Sequence, residues 1–127
     1  MNESLSGKAA LVTGGARRVG AAIARRLHAA GANVLLHYRD SESDAAKLEA
    51  ELNATRAKSA ARVKAELLAP IAPRALVSTA LQTFGRLDLL VNNAWSGYEL
   101  PLYFETPFWE MEWRHWDLMF NGGLRAT

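Results

Sequence analysis

The stretch that decides the fold is Lys8-Ala9-Ala10-Leu11-Val12-Thr13-Gly14-Gly15-Ala16-Arg17-Arg18-Val19-Gly20. Its apolar opening predicts a buried strand over residues 8–13, and a glycine-containing turn and a helix from residue 18 follow. This order is typical of a phosphate-binding corner, because a helix N-terminus presents unpaired N–H groups and the positive end of the helix dipole. Glycine lets the backbone approach a pyrophosphate closely. The stretch therefore predicts a site for a phosphate-containing ligand.

The rest of the chain adds further strand–helix units to this corner. Strands are predicted over residues 33–38, 60–65 and 87–91, and helices over residues 18–30, after Ser41 or Ser43, and after Pro70 and Pro73. Such alternation predicts right-handed crossovers and a parallel sheet. The expected fold class is α/β, a Rossmann-like three-layer fold with strand order 3-2-1-4. Its ligand crevice is expected at the carboxyl ends of strands 1 and 4, where the strand order reverses.

Each predicted helix carries apolar residues at helical spacing, which should face the sheet. The three stripes are Val19, Ile23, Leu27 and Ala30; Ala45, Leu48 and Leu52; and Leu76, Ala80 and Phe84. Gly31 and Gly85 suit the positions just past the ends of the first and third helices.

Composition limits the classes of protein to consider. The 127 residues, half of them apolar, are enough for one domain, so residues 1–127 are predicted to form a single domain. The net charge of +2 is too small to indicate nucleic acid, although Arg17, Arg18, Arg25 and Arg26 cluster locally. The chain has no cysteine and no secretory or membrane-spanning pattern, so we expect a cytoplasmic protein without membrane contact. The three histidines are scattered, and no metal site is expected.

Residues 95–127 differ in amino-acid composition from the rest of the chain and are predicted to be an aromatic loop and helix. All four tryptophans lie here, at positions 95, 109, 113 and 116. Pro101 and Pro107 favour a loop in the first part. A helix is predicted from near Phe108 through Phe120, and Gly122-Gly123 should weaken or break it.

Three motifs together resemble the short-chain dehydrogenase/reductase family. They are Thr13-Gly14-x-x-x-x-x-Gly20 after strand 1, the acidic Glu66 after strand 3, and Asn92-Asn93-Ala94 after strand 4. Residues 8–94 look most like the pteridine-reductase branch, through Thr-Gly-Gly-Ala-Arg-Arg-Val-Gly and the run from His37 to Glu42. Residues 95–127 look more like the dehydrogenase/reductase member-one branch. The resemblance covers only the first half of the family's fold, and it implies that residues 1–127 are a single, incomplete NAD(P)-binding Rossmann-type domain.

The resemblance implies a set of cofactor-binding residues. They are Thr13, Gly14, Arg17, Arg18, Val19, Gly20, Tyr38, Arg39, Glu66, Leu67, Asn92, Asn93 and Ala94. In the family, an acidic residue at the end of strand 2 binds the 2′-hydroxyl of NAD, and a basic residue just after it receives the 2′-phosphate of NADP. Tyr38 and Arg39 occupy these positions, which favours NADP. Asp40, twenty residues after Gly20, keeps NAD as the alternative.

Several positions depart from the family pattern. Arg18 replaces the middle glycine of the turn, as in pteridine reductases, and Glu66 replaces the usual aspartate. Trp95 replaces the glycine after Asn-Asn-Ala, and Gly123 falls where the family has its catalytic asparagine. The family's catalytic Tyr-x-x-x-Lys pair is absent, because Tyr38, Tyr98 and Tyr103 are followed four residues later by Glu42, Leu102 and Pro107.

Two functional hypotheses follow. In the first, the chain is the NADP(H)-binding portion of an oxidoreductase whose complete relatives transfer hydride to or from a carbonyl- or imine-type substrate, and the chain alone is inactive. In the second, it is a non-catalytic nucleotide-binding or protein-interaction module. Homo-oligomers would then form through the exposed sheet edge at strand 4 or the Trp-rich segment.

Overall fold

The fold is taken from a computed structural model, which describes residues 4–96 and 106–125. The chain divides into two compact units, Met1–Asn93 and Ala94–Thr127. The prediction of one domain over residues 1–127 remains a prediction, and each unit is described by itself below.

The first unit contains four strands and three helices in strict alternation. In chain order they are β1 (Ala9–Val12), α1 (Arg18–Ala29), β2 (Asn33–Tyr38), α2 (Glu42–Thr55), β3 (Ala60–Lys64), α3 (Ala72–Phe84) and β4 (Leu89–Val91). Most boundaries lie within two residues of the predicted ones. The third helix differs because it begins before Pro73, which occupies its first turn, where a missing N–H has no consequence.

The sheet is parallel throughout, with spatial order β3-β2-β1-β4. Val12 at the end of β1 pairs with Leu36 on one side and with Val91 on the other. On the outer side of β2, Tyr38 pairs with Lys64 of β3. The predicted α/β class and strand order are therefore confirmed, and the carboxyl ends of all four strands meet at one edge of the sheet.

Two apolar cores cover the two faces of the sheet and produce the three layers. On one face, Val12, Val34 and Leu36 pack against α1 and α2. On the other face, Leu11 and Leu35 pack against Leu76 and Ala80 of α3. Because successive residues of a strand point to opposite faces, the uninterrupted apolar runs of β1 and β2 supply both cores.

The buried face of α1 matches the predicted stripe only in part, since Ile23 and Leu27 pack against the core and Val19 does not. Val19 is 66% exposed, whereas Gly20, Ala21, Ala24 and His28 are buried. The small residues Gly20, Ala21 and Ala24 let the helix approach the sheet closely, and the larger Ile23 and Leu27 pack at the margin of the core. The predicted faces of α2 and α3 are confirmed, since Ala45, Leu48, Leu52, Leu76 and Ala80 are buried.

A buried polar network joins the C-terminal ends of α1 and α2 at the amino end of the sheet. His28 Nε2 lies 2.6 Å from Ser59 Oγ, and the Ser59 hydroxyl donates to the Arg56 carbonyl. The Arg56 guanidinium donates to the carbonyls of His28 and Ala32. Arg56 thus binds one C-terminal carbonyl of α1, at His28, and the Ala32 carbonyl just before β2.

The second unit is helical where it is described. A 3₁₀-helix spans Phe108–Glu110, α4 spans Trp113–Met119, and a π-helix continues over Phe120–Arg125. The predicted continuous helix from Phe108 is therefore wrong, because extended residues at positions 111 and 112 separate the 3₁₀-helix from α4. The π-helix runs through Gly122-Gly123, which do not end the helix here. In the described ranges, 4–96 and 106–125, no helix is long and apolar enough to cross a membrane.

Candidate cofactor-binding site

The predicted site residues of the first unit follow the carboxyl ends of its four strands. The turn after β1 holds those from Thr13 to Gly20, and Tyr38 and Arg39 lie at the end of β2. Glu66 and Leu67 follow β3, and Asn92 and Asn93 follow β4. The sheet therefore brings these residues to one edge, with the turn after β1 at its centre. Ala94 begins the second unit, and its role remains a prediction.

Gly20 stands at the point where α1 crosses the turn. A Cβ added to Gly20 would overlap the Gly14 carbonyl oxygen and would lie 2.6 Å from Asn93 Nδ2. Real Cβ atoms essentially never come within 3.0 Å of such neighbours. Gly14 itself has φ of +60°, a conformation that glycine adopts without strain. These two glycines let the first turn of α1 rest directly on the backbone that leaves β1.

The side chain of Asn93 holds the turn in place. Its Nδ2 group donates to the Thr13 carbonyl at 3.0 Å and to the Gly14 carbonyl at 3.1 Å. Its backbone N–H donates to Thr13 Oγ1 at 3.0 Å, and Thr13 Oγ1 donates to the Val91 carbonyl at 3.3 Å. Thr13 and Asn93 thus tie β1 to β4 at the place where the strand order reverses. Both side chains thus make hydrogen bonds within the protein.

His37 anchors the turn from the opposite side. It is 2% exposed, and its Nδ1 atom accepts a hydrogen bond from the Gly14 N–H at 3.0 Å. Its backbone carbonyl accepts from the Gly15 N–H at 2.9 Å. Its Nε2 atom lies 3.0 Å from the Ala65 carbonyl, to which it donates. Burial lowers the pKa of His37, while the bond to Ala65 and the charge of Glu66 oppose that shift.

Three arginines lie at or beside this edge, and all are exposed. Arg17 lies 3.8 Å from Asp44 of α2, and Arg39 Nε donates to Asp40 Oδ2 at 2.7 Å. Arg18 has φ of +50°, which a residue with a Cβ adopts at a cost of about 1–2 kcal/mol. The side chains of Arg18 and Val19 are exposed at the start of α1 and do not enter the core.

The remaining predicted residues have different environments. Tyr38 is 7% exposed and packs with Ala16 and Ala45, so its side chain supports the turn from the core. Glu66 is exposed, and its carboxylate accepts from the Leu68 N–H at 3.2 Å. Leu67 packs at the margin of the core on the α3 side. Asn92 is exposed beside Asn93. For all of them, contact with a cofactor remains a prediction.

In the second unit, the position aligned with the family's catalytic asparagine offers no functional group. A Cβ added to Gly123 would lie 3.3 Å from Trp95 Cδ1, and one added to Gly122 would overlap Ser96 Oγ. Ser96 Oγ donates to the Leu118 carbonyl at 2.8 Å. These contacts hold residues 95 and 96 against the π-helix. Tyr98 and Tyr103 lie outside the described residues.

A parallel sheet of this order, with a glycine turn leading into a helix at the carboxyl edge, defines a Rossmann-type nucleotide-binding fold. The model of the family described as short chain dehydrogenase matches residues 8–127, and the chain belongs to this family. The chain is 42% identical to pteridine reductase 1 of Leishmania tarentolae, over 80% of this chain and 41% of the relative. It is 37% identical to a hydroxynaphthalene reductase-like protein of Metarhizium majus, over 97% of this chain and 43% of the relative.

Solved structures agree with this assignment. A short chain dehydrogenase from Burkholderia cenocepacia in complex with NADP superposes with a TM-score of 0.84 at 36% identity. A blue fluorescent protein from a metagenomic library in complex with NADPH superposes with a TM-score of 0.82 at 34% identity. Each of the two alignments covers 98% of this chain and 48% of the solved chain. The chain thus spans less than half the length of these relatives.

Two residues at this edge, His37 and Asp44, were not among the predicted site residues. For His37 the sequence does hold a signal, because a histidine in a strand of buried apolar residues indicates a satisfied polar contact. Asp44 carried no local signal, because its ion pair with Arg17 depends on how α2 packs beside the turn.

Proposed function

We propose that this chain is the NADP(H)-binding portion of a short-chain oxidoreductase. The observation that carries the proposal is the close crossing of Gly14, Gly20 and Asn93, which directs the start of α1 to the carboxyl edge of the sheet. The N–H groups of a first helical turn lack partners within the helix, and together with the helix dipole they favour a pyrophosphate. The relatives solved with NADP and NADPH support this choice of ligand.

NADP is proposed over NAD because arginines surround the expected 2′-phosphate position. Arg39 directly follows β2, and its planar guanidinium suits bidentate contact with a phosphate. Arg17 and Arg18 supply further positive charge at the turn. Asp40, which is bonded to Arg39, is the feature that favours the alternative, NAD. Glu66 and Leu67 are proposed to border the adenine, and Asn92 and Ala94 to lie along the adenosine ribose.

The cofactor would supply hydride chemistry, with a carbonyl- or imine-type compound as substrate in a complete relative. This chain contains no Tyr-x-x-x-Lys pair, and Gly123 takes the place of the catalytic asparagine. We therefore propose that the 127-residue chain binds the cofactor without turnover. Nucleic acid and membranes are not proposed as partners. A cytoplasmic location is also proposed, and it accords with a chain that has no cysteine to oxidise.

Titration with NADPH and NADH tests the proposal directly. Binding is followed by nicotinamide fluorescence, and we expect NADPH to bind more tightly than NADH. Arg39→Ala should reduce the preference for NADPH, whereas Arg26→Ala, an exposed change on α1, should leave it unchanged. Equal and weak binding of both cofactors by the folded wild-type chain would refute the cofactor assignment.

The exposed aromatic side chains of the second unit favour one alternative, a non-catalytic interaction module. Trp113, Trp116 and Phe120 are exposed at helical spacing, and Trp116 stacks on Phe120 with ring centroids 4.1 Å apart. In the first unit, β4 ends the sheet and Leu90 is 53% exposed. Self-association through either surface is part of this alternative. Sedimentation discriminates, because a discrete dimer that binds NADPH without turning over a carbonyl favours a module, and a monomer does not.

A further inference from the structure

We infer that His37 is a positioning residue of the cofactor site, which locks the phosphate-binding turn to the segment expected to border the adenine. This inference rests on the proposed function, since it concerns the same site. It adds a buried side chain that does not touch the cofactor and that acts through the backbone groups on either side of it.

The hydrogen bonds of His37 define one protonation state. The Gly14 N–H is a donor, so Nδ1 must present its lone pair, and the ring proton must lie on Nε2. That proton is then donated to the Ala65 carbonyl, which can only accept. Both bonds are made together only by the neutral ring with hydrogen on Nε2. A proton on Nδ1 would face the Gly14 N–H and break that bond.

His37 contacts both sides of the expected cofactor position. On one side, its ring and its own carbonyl take the N–H groups of Gly14 and Gly15, which fixes the path of the turn before α1. On the other side, its ring holds the Ala65 carbonyl, and the Ala65 N–H donates to the Tyr38 carbonyl at 3.1 Å. Ala65 directly precedes Glu66. One imidazole therefore sets the spacing between the turn and the residues after β3.

The position of His37 explains why it binds protein rather than solvent or ligand. It lies on the same face of β2 as Leu35, beside the core on the α3 side, and pairs with Val63 of β3. Among the described residues, Glu66 is the charged group whose field reaches the ring. The turn after β1 contributes backbone groups to the contact, and β3 contributes Val63. Acidification would therefore protonate a ring whose two hydrogen bonds require the neutral form.

Two substitutions at position 37 separate its roles. The Oδ1 atom of His37→Asn lies close to the position of Nδ1 and can accept from the Gly14 N–H, but this variant does not titrate. His37→Leu removes both ring contacts. His28→Gln is the matched control, because His28 is the other buried histidine of the described residues and lies at the amino end of the sheet.

The experiment measures NADPH affinity of the full 127-residue chain from pH 8 to pH 4.5, a range that extends well below the ordinary pKa of histidine because burial lowers the pKa of His37, together with the protection of the Gly14 amide from hydrogen exchange without cofactor. At pH 8 we expect His37→Leu to bind NADPH at least roughly three- to tenfold more weakly than wild type, since each of the two ring hydrogen bonds that it loses is worth about that factor. His37→Asn, which can keep the bond to Gly14 but loses the bond to Ala65, should lose less affinity than His37→Leu, and His28→Gln should match wild type. As the pH falls below 6.5, the affinity of wild type should decrease more steeply than that of His37→Asn.

The outcomes distinguish the two proposals. Failure of wild type to bind NADPH at pH 8 contradicts the proposed function, whereas loss of Gly14 protection on acidification in wild type, but not in His37→Asn, still supports the inference. Identical pH profiles of affinity and protection in wild type and His37→Asn would overturn it. If His37→Leu does not fold, the comparison between wild type and His37→Asn decides the question.

Discussion

Replacement of Gly20 by alanine should destabilise the chain although alanine is the better helix former. The added Cβ would lie 2.6 Å from Asn93 Nδ2 and 2.9 Å from the Gly14 carbonyl carbon, whereas ordinary van der Waals contact begins at 3.4 Å. The Gly14 carbonyl oxygen is closer still, so the turn or the helix must move to accommodate the methyl group. Since both Gly14 and Asn93 belong to the link between β1 and β4, no flexible side-chain end is available to absorb the movement.

The magnitude follows from three contributions. Overpacking of a close contact costs about 1–3 kcal/mol. The two hydrogen bonds from Asn93 Nδ2 to the Thr13 and Gly14 carbonyls contribute about 1 kcal/mol each, and both are disturbed. The intrinsic helix preference of alanine over glycine returns about 1 kcal/mol. The expected net loss in the free energy of unfolding is about 2–4 kcal/mol.

Urea denaturation followed by circular dichroism measures this change, with Ala22→Gly as the control. Ala22 is exposed in the same helix, so its replacement reports helix preference alone and should cost about 1 kcal/mol. NADPH affinity of Gly20→Ala should fall as well, because the start of α1 is displaced. If Gly20→Ala is as stable as wild type while Ala22→Gly loses its expected amount, the close crossing does not exist and the reasoning fails.

Three further outcomes are expected. Arg18→Gly relieves the cost of a positive φ, offset in part by the greater freedom of glycine in the unfolded chain, so urea denaturation should show a change within about 1 kcal/mol while NADPH binding weakens. Its failure to weaken NADPH binding would exclude Arg18 from the site. Asp40→Asn removes the negative charge bonded to Arg39 and should raise the ratio of NADPH to NADH affinity up to about fivefold, the limit for an exposed ion pair, so an unchanged ratio in the fluorescence titration would contradict this role. Finally, hydrogen bonds from Arg86 and from a backbone N–H lower the pKa of Asp88 below its ordinary value of 3.8, so this carboxylate stabilises the fold above that pH and the contribution is lost as the pH falls. Asp88→Asn should therefore be less stable than wild type at pH 7, with a difference that narrows in urea titrations below pH 3.8, and a constant difference would refute the assignment.

Most of the first unit could be predicted from the sequence because its signals are local. The strand over Asn33–Tyr38 was predicted with its observed boundaries, and the buried faces of α2 and α3 follow from apolar spacing. The edge of the sheet that carries the site also follows, since alternating strands and helices enforce parallel strands whose carboxyl ends meet. The face of α1 could not be predicted in the same way. There, the close approach of Gly20 to the turn outweighs the apolar character of Val19.

The second unit was predicted less well, since glycine and aromatic residues have weak local preferences. Gly122-Gly123 were expected to weaken or break a helix, but the chain continues through them as a π-helix whose small residues accept Trp95 and Ser96. The free-energy cost of glycine in an isolated helix predicts a break at this position. Contacts with residues distant in sequence decide the conformation instead.

Residue types and their spacing along the chain were enough to predict the parallel α/β fold and the glycine turn after β1, and they show that the chain has no Tyr-x-x-x-Lys pair. Only the tertiary structure showed that Asn93 is bonded to the turn, that Arg17 and Arg39 have acidic partners, and that His37 joins Gly14 to Ala65. The contacts of Asn93, Arg17 and His37 join segments that crossover helices separate in sequence, and the ion pair of Arg39 depends on side-chain geometry. Neither kind of contact can be derived from periodicity, since a hydrogen bond depends on where folding places its donor and its acceptor.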